Sequence, residues 1–508
     1  MSHYYITTSR PYTNALPHLG TIMDPIYADV YARFHRLLGE SVFFSMGTDE
    51  HSFKIANKAV ELGLTPQDYA DKQYKIFQTS FEQLDIFADE FMQNSSEKHK
   101  WVANIVWEKL LQKDLIYKKS YSGLYCPGCE DFYSESQLIN GRCPIHTNLE
   151  IQKVEEENYF FRLSQFQSQV SGYLDKVKIN NPSIVPEMKS FCEDLHDISV
   201  SRDRKRLASD WGVVVESDPE HLMYVWFEAL QTYLTPLIPD DLFENWLDGD
   251  QDVRITIELE FWEILKDTLP QNLQIIGTDN AKFHLVIWSA TLFALDLPPI
   301  ESLIIHGMIN DEAGRKFAKS LGNGIEIEEL RSQVGKEGVR FFVLNYCNSH
   351  SDTSFDWNKL FETYNANLAN NLGNLINRVT NLVEKHLAGN IDRELDFQID
   401  LPISYDAVYS ELNNLRPELA FRAWFEELSK VNSYLEHTKP WILAKEPEIN
   451  KSQITKVLST ATLAILELIP SLSLFLPETA DKIYRILSSD LIQKSPILFQ
   501  RIELPTKN

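Results

Sequence analysis

The sequence predicts an α/β domain that is interrupted by an insertion and followed by a helical domain. Residues 1 to about 116, and again residues from about 210, alternate short apolar runs with helix-like stretches, which is the pattern of an α/β sheet. A cysteine cluster and aromatic segments separate these two parts. Beyond Phe341 the pattern is helical almost to the end of the chain.

The elements can be followed in order along the chain. The strand-like run HYYITTS precedes the turn PHLGT and the helix-like run PIYADVYARFHRLLG, and SVFFSMGT is a second strand. After the insertion the α/β pattern returns with MYVWFEAL, LQIIGTDN and SLIIHGMI. The acidic stretch PDDLFENWLDGDQD predicts a surface insertion. Near the end, LSTATLAILELIPSLSLFLPETA is broken by Ser, Thr, Glu and Pro, and predicts a buried pair of helices rather than a membrane span.

Composition narrows the class of protein. With 508 residues, 44% hydrophobic and 24% charged, the chain is expected to be soluble and to form two to four domains. The N-terminal run MSHYYITTSRPY does not match a secretory signal, and the five cysteines include a cluster of three, so we expect a cytoplasmic protein. The net charge of −25 argues against non-specific nucleic-acid binding but allows a local basic stripe to bind a polyanion.

The cysteine cluster has the spacing of a metal site. Cys126 and Cys129 are separated by two residues, and after thirteen more residues Cys143 and His146 repeat that spacing. Three thiolates and one imidazole suit tetrahedral zinc with no open position, which is typical of a structural site. The alternative is four unrelated buried residues.

A second chemical signal is the run RKFAKSLGN, from Arg315 to Asn323. Two lysines three apart, followed by Ser and a Gly-Asn turn, indicate a cationic loop that could close over a triphosphate. A solvated surface loop is the alternative. The run lies after HLG in the chain, and this order favours the loop that closes over a triphosphate.

Several motifs together resemble the methionyl-tRNA synthetase family of class I aminoacyl-tRNA synthetases. They are PHLGT, SMGTDEHSFKI, the Cys-Cys-Cys-His cluster followed by ENYFFRL, YVWFEAL, IGTDNAKFHLVIWSA, IIHGMIND, KFAKS, NNLGNLINR and KPWILAKE. The resemblance spans nearly the whole chain. It implies a Rossmann-type catalytic domain with a zinc-knuckle connective insertion, followed by an α-helical anticodon-binding domain. The implied boundaries are 1–116 and 201–295 for the catalytic halves, 117–200 for the insertion, 296–345 for the signature-loop region and 346–508 for the helical domain.

The resemblance also implies how ATP is used. The amino-acid carboxylate attacks the α-phosphorus of ATP with Mg²⁺ assisting, so catalysis consists of positioning and charge stabilisation. His18 and Gly20 lie at a helix N-terminus suited to the α-phosphate, and Lys316 and Lys319 hold the outer phosphates. The implied catalytic residues are His18, Gly20, Thr21, Lys316, Lys319 and Ser320, and the implied ATP contacts are His18, Gly20, Thr21, His306, Gly307 and Lys319.

The same resemblance implies a methionine site. Asp49 is placed to hold the substrate ammonium, and aromatic faces suit a polarizable thioether. The implied substrate-binding residues are Arg10, Tyr12, Asp49, Trp226, Tyr233, Asp279, His284 and Trp288. For the anticodon of tRNA(Met), Asn374 and Arg378 share one helix face and Trp441 follows a proline, which suits the reading of unpaired bases.

Some positions depart from the family pattern. Thr21 replaces the usual His, KFAKS lacks one hydroxyl of the usual signature, Ser52 replaces Gly, and the run SVSRDRKRLASDWG is basic and long. Arg10 stands where the family usually has an aliphatic residue. We expect its side chain to point outward and to pair with a carboxylate, because a thioether cannot neutralise a buried charge.

The resulting hypothesis is a monomeric enzyme that activates methionine with ATP and transfers it to tRNA(Met), with no membrane partner. One alternative is a paralogue that activates another amino acid. The other is a non-catalytic tRNA-binding relative, against which the retention of both signature lysines argues.

Overall fold

The first part of the chain alternates strands and helices, as predicted. The computed structural model describes residues 3–126, 131–133, 135, 138–144, 149–207, 209–315, 317 and 324–503. Its first elements are β1 (Tyr4–Thr8), α1 (Met23–Leu37), β2 (Val42–Thr48), α2 (Phe53–Glu61), α3 (Pro66–Glu82), β3 (Glu90–Gln93) and α4 (Glu97–Gln112). Hydroxyl caps begin three of these helices, since Ser52, Thr65 and Ser96 each accept a backbone N–H of the first turn. Ser52, a departure from the family pattern, is thus a helix cap.

The middle part contains a four-stranded antiparallel sheet. The elements of the middle part are β4 (Ile116–Cys126), β5 (Asp131–Tyr133), β6 (Gln152–Phe161), α5 (Gln167–Leu174), β7 (Lys178–Ile179), α6 (Val185–Glu193), β8 (Ile198–Ser199) and β9 (Ser201–Asp203). The strand order in this sheet is β5-β4-β6-β8. In the basic run that follows, Arg204 pairs with Asp210 and Lys205 with Glu220, so part of its charge is neutralised within the chain.

The α/β pattern then returns. Its elements are β10 (His221–Met223), α7 (Val225–Leu230), α8 (Asp240–Asp248), α9 (Gln251–Thr268), β11 (Leu273–Gly277), α10 (Ser289–Ala294), β12 (Ser302–His306) and β13 (Ile309–Asn310). The acidic stretch, residues 239–252, forms α8 and the start of α9, and Leu247 within it is 52% exposed. The predicted surface insertion is therefore a pair of surface helices.

The rest of the described chain is helical except for one short strand. Its elements are α11 (Ile327–Phe341), β14 (Thr353–Ser354), α12 (Trp357–Tyr364), α13 (Asn374–Leu387), α14 (Asp406–Asn413), α15 (Pro417–Thr438), α16 (Pro440–Leu443), α17 (Pro447–Phe475) and α18 (Pro477–Leu487). The predicted apolar pair is α17 and α18. Helix α17 is long and apolar enough to cross a membrane, but 72% of its most apolar window is buried inside the protein, so it is a core helix.

A parallel sheet of six strands organises the α/β part. Its order is β3-β2-β1-β11-β12-β7, and all its strand pairs are parallel. The edge strand β7 comes from residues 178–179, inside the range predicted as the insertion. That range therefore contributes to the main sheet as well as to the antiparallel one.

Helices cover both faces of the sheet. Ile6, Phe44 and Ile304 belong to a core shared with α1 and the C-terminal helices, whereas Tyr5 and Ile305 belong to a second core shared with α4 and the middle part. Neighbouring strand residues point to opposite faces, and a parallel sheet is normally buried on both. This arrangement leaves the ends of the strands open.

Candidate functional site

A cavity of about 410 Å³ lies at the carboxyl ends of the central strands. Segments that follow β1, β2, β11 and β12 form much of its wall, which is where open α/β sheets bind ligands. Eleven of the predicted catalytic, ATP-binding and substrate-binding residues line it. They are Arg10, Tyr12, His18, Gly20, Thr21, Asp49, Trp226, Tyr233, Asp279, His284 and His306.

His18 caps a tight turn between β1 and α1. The turn, Leu19–Thr21, is a 3₁₀ helix, and His18 Nδ1 accepts a hydrogen bond from the Gly20 N–H at 3.0 Å. Burial lowers the pKa of His18, so its neutral ring carries the proton on Nε2, where it can donate to a ligand. A Cβ at residue 20 would lie 2.9 Å from His18 Cε1, which explains the glycine.

The hydroxyl of Thr21 completes this turn. Its Oγ1 accepts from the His18 N–H at 3.2 Å and donates to the His18 carbonyl at 2.8 Å. Together with the His18 cap, this is a reciprocal capping arrangement. Thr21 therefore holds the shape of the turn and also lines the cavity.

An ion pair between Asp24 and His306 lies in the cavity wall beside the His18 turn. His306 Nε2 contacts Asp24 Oδ1, and its Nδ1 donates to the Gly307 carbonyl at 2.8 Å. Burial alone would lower the pKa of His306, but the charge and hydrogen bond of Asp24 more than offset it, and the pKa is raised. Sequence reasoning missed Asp24, because an Asp in the first turn of a helix is usually read as a cap.

Gly307 is absent from the residues that line the cavity. A Cβ at this position would lie 2.2 Å from the backbone carbon of Ser351. The glycine therefore allows two backbone segments to approach closely, and its carbonyl orients His306. Gly307 therefore acts on the cavity indirectly, by orienting His306.

Aromatic rings form the opposite wall. Tyr12 and Trp226 meet edge to face with ring centroids 6.1 Å apart, and Trp226 stacks on Phe283 at 4.1 Å. Trp288 is fully buried and lies behind Tyr233, with centroids 5.9 Å apart and its Nε1 donating to Gln271. Of the predicted aromatic residues, Tyr12, Trp226 and Tyr233 line the cavity, while Trp288 supports Tyr233 from behind.

Tyr233 and His284 place a fixed polar pair in this wall. His284 Nδ1 donates to the Asn280 carbonyl at 2.9 Å, so its Nε2 accepts the Tyr233 hydroxyl at 2.8 Å. Burial lowers the pKa of His284 to about 4. The imidazole is therefore neutral near pH 7, and its tautomer is set by the carbonyl.

Asp49 follows β2 and presents its carboxylate to the cavity. Its backbone pairs with the Tyr12 segment, since the Asp49 N–H donates to the Pro11 carbonyl at 3.0 Å. Its Oδ1 accepts from Asn94 Nδ2 at 2.9 Å. Burial and the nearby carboxylates Glu228 and Glu50 raise its pKa well above the ordinary value. A cationic ligand group at this point would stabilise the carboxylate.

A buried charged cluster supports Asp49 from behind. Glu228 accepts from His51 Nδ1 at 2.9 Å and from His99 Nε2 at 2.8 Å, and Asn94 bridges Glu228 and Asp49. Burial alone would raise the pKa of Glu228, but the two imidazoles lower it. Sequence reasoning missed this cluster. The one local signal was the consecutive run Asp49-Glu50-His51 at the end of a strand.

Comparisons with known proteins agree with this geometry. The sequence model of the family described as tRNA synthetases class I (M) matches residues 4–154 and 147–380. A methionine--tRNA ligase of Thermosynechococcus vestitus is 38% identical over 77% of this chain and 70% of its own length. One of a Nostoc species is 32% identical over 95% of this chain and 89% of its own length.

The chain belongs to the class I methionyl-tRNA synthetase family.

Solved structures of this family have the same fold. The Mycobacterium tuberculosis methionyl-tRNA synthetase in complex with methionyl-adenylate has a TM-score of 0.82 at 29% identity, over 100% of this chain and 99% of that one. Its apo form has a TM-score of 0.79 at 26% identity, over 99% of each chain. The parallel sheet and the helical C-terminal region are thus those of a class I synthetase, and the protein is an aminoacyl-tRNA ligase.

Arg10 contradicts the expectation that it points outward. Its Nη1 donates to the Ser45 carbonyl at 3.1 Å and its Nη2 to Ser45 Oγ at 3.0 Å. The guanidinium carbon lies 5.2 Å from the centre of the Tyr233 ring. The expectation of an outward side chain paired with a carboxylate is wrong, because oxygen atoms of Ser45 in β2 and of Thr232 in the turn after α7 hold the guanidinium inside the cavity. Burial lowers its pKa, although a guanidinium stays protonated.

The signature loop KFAKS is described only in part. Lys316, Lys319 and Ser320 lie outside the described residues. Beside them, Arg315 pairs with Asp311 at 2.7 Å. The predicted roles of the two lysines and the serine stay predictions.

The predicted zinc ligands are also described in part. Cys126 ends β4 and Cys143 follows the turn at Asn140 and Gly141, and both cysteines are fully buried. Cys129 and His146 lie outside the described residues. Within the described ranges, no group of three His, Cys, Asp or Glu side chains is placed to hold a metal ion.

The predicted anticodon residues lie close together in the helical region. Arg378 is 5.5 Å from the ring centre of Trp441, and Asn374 is exposed one turn before it on α13. Arg378 also pairs with Glu436 at 2.6 Å and donates to Asn432 at 3.0 Å. An incoming base would therefore have to displace or share these contacts.

Proposed function

We propose that the enzyme activates methionine with ATP and transfers the methionyl group to tRNA(Met). The observation that carries this proposal is the single cavity that joins the capped His18 turn to an aromatic wall and the Asp49 carboxylate. One side has donors for a phosphate, the other suits a thioether, and Asp49 lies ready for an ammonium. The family membership and the named relatives support the same reaction.

In this mechanism the side chains position the reactants and stabilise charge. Asp49 pairs with the methionine ammonium, and Tyr12 and Trp226 enclose the side chain. The neutral His18 donates its Nε2–H to the α-phosphate while the substrate carboxylate attacks the phosphorus. This geometry converts a bimolecular encounter into a reaction between held groups. Pyrophosphate leaves as its bond to the α-phosphorus breaks. The tRNA ribose hydroxyl then attacks the adenylate carbonyl carbon, the bond from that carbon to the phosphate oxygen breaks, and AMP leaves while the hydroxyl proton is released.

The remaining groups are assigned by the resemblance. Lys316 and Lys319 would neutralise charge on the departing pyrophosphate and Ser320 would donate a hydrogen bond to it, and Mg²⁺ would supply further positive charge at the phosphates. His306, which Gly307 and Asp24 orient, would contact ATP. Asp279 would contact the amino acid. Asn374, Arg378 and Trp441 would read the anticodon, since Arg378 and Trp441 already lie together.

We also propose a structural zinc site at Cys126, Cys129, Cys143 and His146. Two fully buried thiols, at the end of β4 and after a tight turn, fit a closed thiolate-rich site. Within the proposed boundaries, given above as 1–116, 117–200, 201–295, 296–345 and 346–508, this site belongs to the insertion. No step of the reaction passes through it. We also propose that the enzyme is a monomer and lies in the cytoplasm. These two proposals rest on the sequence alone.

The decisive experiment is ATP–pyrophosphate exchange over a panel of amino acids, followed by charging of tRNA(Met). We expect methionine to support exchange and charging. Exchange with a polar amino acid and none with methionine would favour the paralogue. The inward guanidinium of Arg10 is the observation that makes this alternative worth testing, because it could bind a polar side chain. Absence of exchange with every amino acid, combined with tRNA binding, would favour the non-catalytic relative.

A further inference from the structure

Arg10 ties together three segments that carry substrate-site residues. It follows β1 two residues before Tyr12, and it binds Ser45 in β2, four residues before Asp49. Its Nε and Nη2 also approach Thr232 Oγ1 and the Thr232 carbonyl, each at 3.4 Å. Thr232 directly precedes Tyr233. Four contacts from one guanidinium thus connect the three walls of the amino-acid pocket.

The contacts place the charge against Tyr233. The guanidinium carbon lies 5.2 Å from the ring centre, within the range of a cation–π interaction. The other side of Tyr233 is held by the His284 hydrogen bond and by Trp288. The ring is therefore fixed from two directions, by a hydrogen bond at its hydroxyl and by a cation near its face.

No carboxylate neutralises this cation at close range. None of the ion pairs between described residues includes Arg10, and the four acceptors around it are neutral oxygens. Glu90, which lies opposite Ser45 in the neighbouring strand, is a carboxylate whose charge raises the pKa of Arg10, but it forms no ion pair with it. The cavity wall thus carries a permanent positive charge beside the aromatic ring.

We propose that Arg10 positions Tyr233 and thereby determines which side chains the amino-acid pocket accepts. This inference rests on the proposed methionine-activating function and adds a specificity residue to it. By holding the ring close to β1 and β2, Arg10 limits the length of the accepted side chain. Its charge excludes cationic side chains, since a second buried cation would be repelled. Because four oxygen atoms of the chain already accept hydrogen bonds from the guanidinium, the substrate need not supply a counter-charge, and the favoured class is an uncharged, flexible side chain of the length of methionine.

The test compares variants of Arg10 on two uncharged substrates, methionine and its longer homologue ethionine. Arg10→Met keeps an unbranched side chain without the charge or the donors. We expect it to raise KM for methionine about tenfold while kcat changes by less than about threefold, because the ATP side is intact. The ratio of kcat/KM for methionine over ethionine is expected to fall about tenfold. Arg10→Lys restores the charge but cannot bridge Ser45 and Thr232, so it should recover only part of that ratio.

Ser45→Ala supplies an independent check through the same guanidinium. It removes one acceptor and is expected to shift the ratio in the same direction by a smaller factor. Combined with Arg10→Met it should add nothing, since both changes act on one interaction. Arg331→Met is the matched control, because this half-exposed arginine on α11 pairs with Glu328 away from the cavity.

The outcomes separate the possibilities. An unchanged methionine-to-ethionine ratio in Arg10→Met overturns the proposal, as does an equal loss with both substrates accompanied by a lower Tm, which would indicate a structural role. A wild-type enzyme that does not exchange with methionine contradicts the proposed function instead. In that event the same variants are compared on the amino acid that supports exchange and on its longer homologue. A ratio of kcat/KM values that is the same in wild type and Arg10→Met overturns the positioning role.

Discussion

At the residue scale, Asp49 is a buried carboxylate to which a bound substrate would, in the proposed function, supply a counter-charge. The carboxylate lines the cavity and accepts one hydrogen bond from Asn94. Burial, together with Glu228 and Glu50, raises its pKa. The ammonium group of an amino acid is the natural counter-charge at this position, so binding and protonation compete for the same oxygen atoms.

Methionine binding should therefore weaken as the pH falls through the raised pKa of Asp49. The free folded protein holds a proton there that the unfolded chain has released, so this group's contribution to stability decreases as the pH rises from the ordinary to the raised pKa. Calorimetric titration with methionine at several pH values across the range in which the protein stays folded measures the effect. Asp49→Asn should weaken binding about 10²-fold and flatten the profile. A flat profile in the wild type would contradict this account.

Lys319 belongs to the same scale, although it lies outside the described residues. Replacing it by Ala removes one donor to the departing pyrophosphate, and we expect the adenylation rate to fall about 10²–10³-fold. The Kd for methionine is expected to change little. Pre-steady-state adenylation and equilibrium binding separate the two effects. An equally large rise in the methionine Kd would show that the loop serves the amino-acid pocket.

At the scale of elements, the site lies where several segments meet. The strands β1, β2, β11 and β12 could be predicted because apolar, β-rich runs alternate with helices, and the resemblance identified eleven of the residues that line the cavity. The two-residue strand β7 could not be predicted, since so short a segment has no periodicity. The His51–Glu228–His99 cluster could not either, because its members are 177 and 129 residues apart in the chain.

Replacing Glu228 tests how much the His51–Glu228–His99 cluster contributes to the free energy of unfolding. Glu228→Gln keeps the shape but removes a charge that two imidazoles share, and breaking a buried pair costs about 3–5 kcal/mol. The lowered pKa means that this stability is present above the ordinary pKa and is lost as the pH falls through the folded one. Urea unfolding at neutral pH measures it, with the exposed Glu61→Gln as control. Equal unfolding free energies in both variants would refute the role.

The middle part provides a second test at this scale. Cys143→Ser is expected to release about one zinc ion per chain, because one of four proposed ligands is lost. The antiparallel sheet should then become more accessible to proteolysis, while the main sheet stays folded. Metal analysis and limited proteolysis give the two readouts. Cys192→Ser is the matched control, since Cys192 is buried in α6 away from the cluster. Wild-type protein without zinc, prepared without chelators, would exclude the site.

At the scale of the molecule, one core joins the α/β part and the helical region. Arg340 of α11 is fully buried and pairs with Asp29 of α1 at 2.7 Å. It also donates to the Phe475 carbonyl at the end of α17 at 2.7 Å. The two regions therefore share buried polar contacts as well as apolar ones, and we expect them to unfold together.

Arg340→Met tests this coupling. It leaves Asp29 without one of its buried partners, and we expect a loss of about 3–5 kcal/mol in the free energy of unfolding. Calorimetry should show one transition that moves as a unit to lower temperature. Arg331→Met, on the same helix but half-exposed, should change stability by less than about 1 kcal/mol. Two transitions, of which only one shifts, would show that the regions unfold separately.

The fixed tautomer of His284 has a consequence for accuracy in an acidified cell. Its pKa of about 4 keeps the ring neutral over the physiological range, and the pKa of His18 is lowered too. The Tyr233–His284 pair in the side-chain wall thus presents the same hydrogen bond in mildly acidic and in neutral medium, and neutral His18 keeps its donor for the phosphate, whereas protonation of Asp49 at its raised pKa would weaken ammonium binding. Acid stress would then slow the use of any amino acid without changing the choice among them, so that translation loses speed before it loses fidelity.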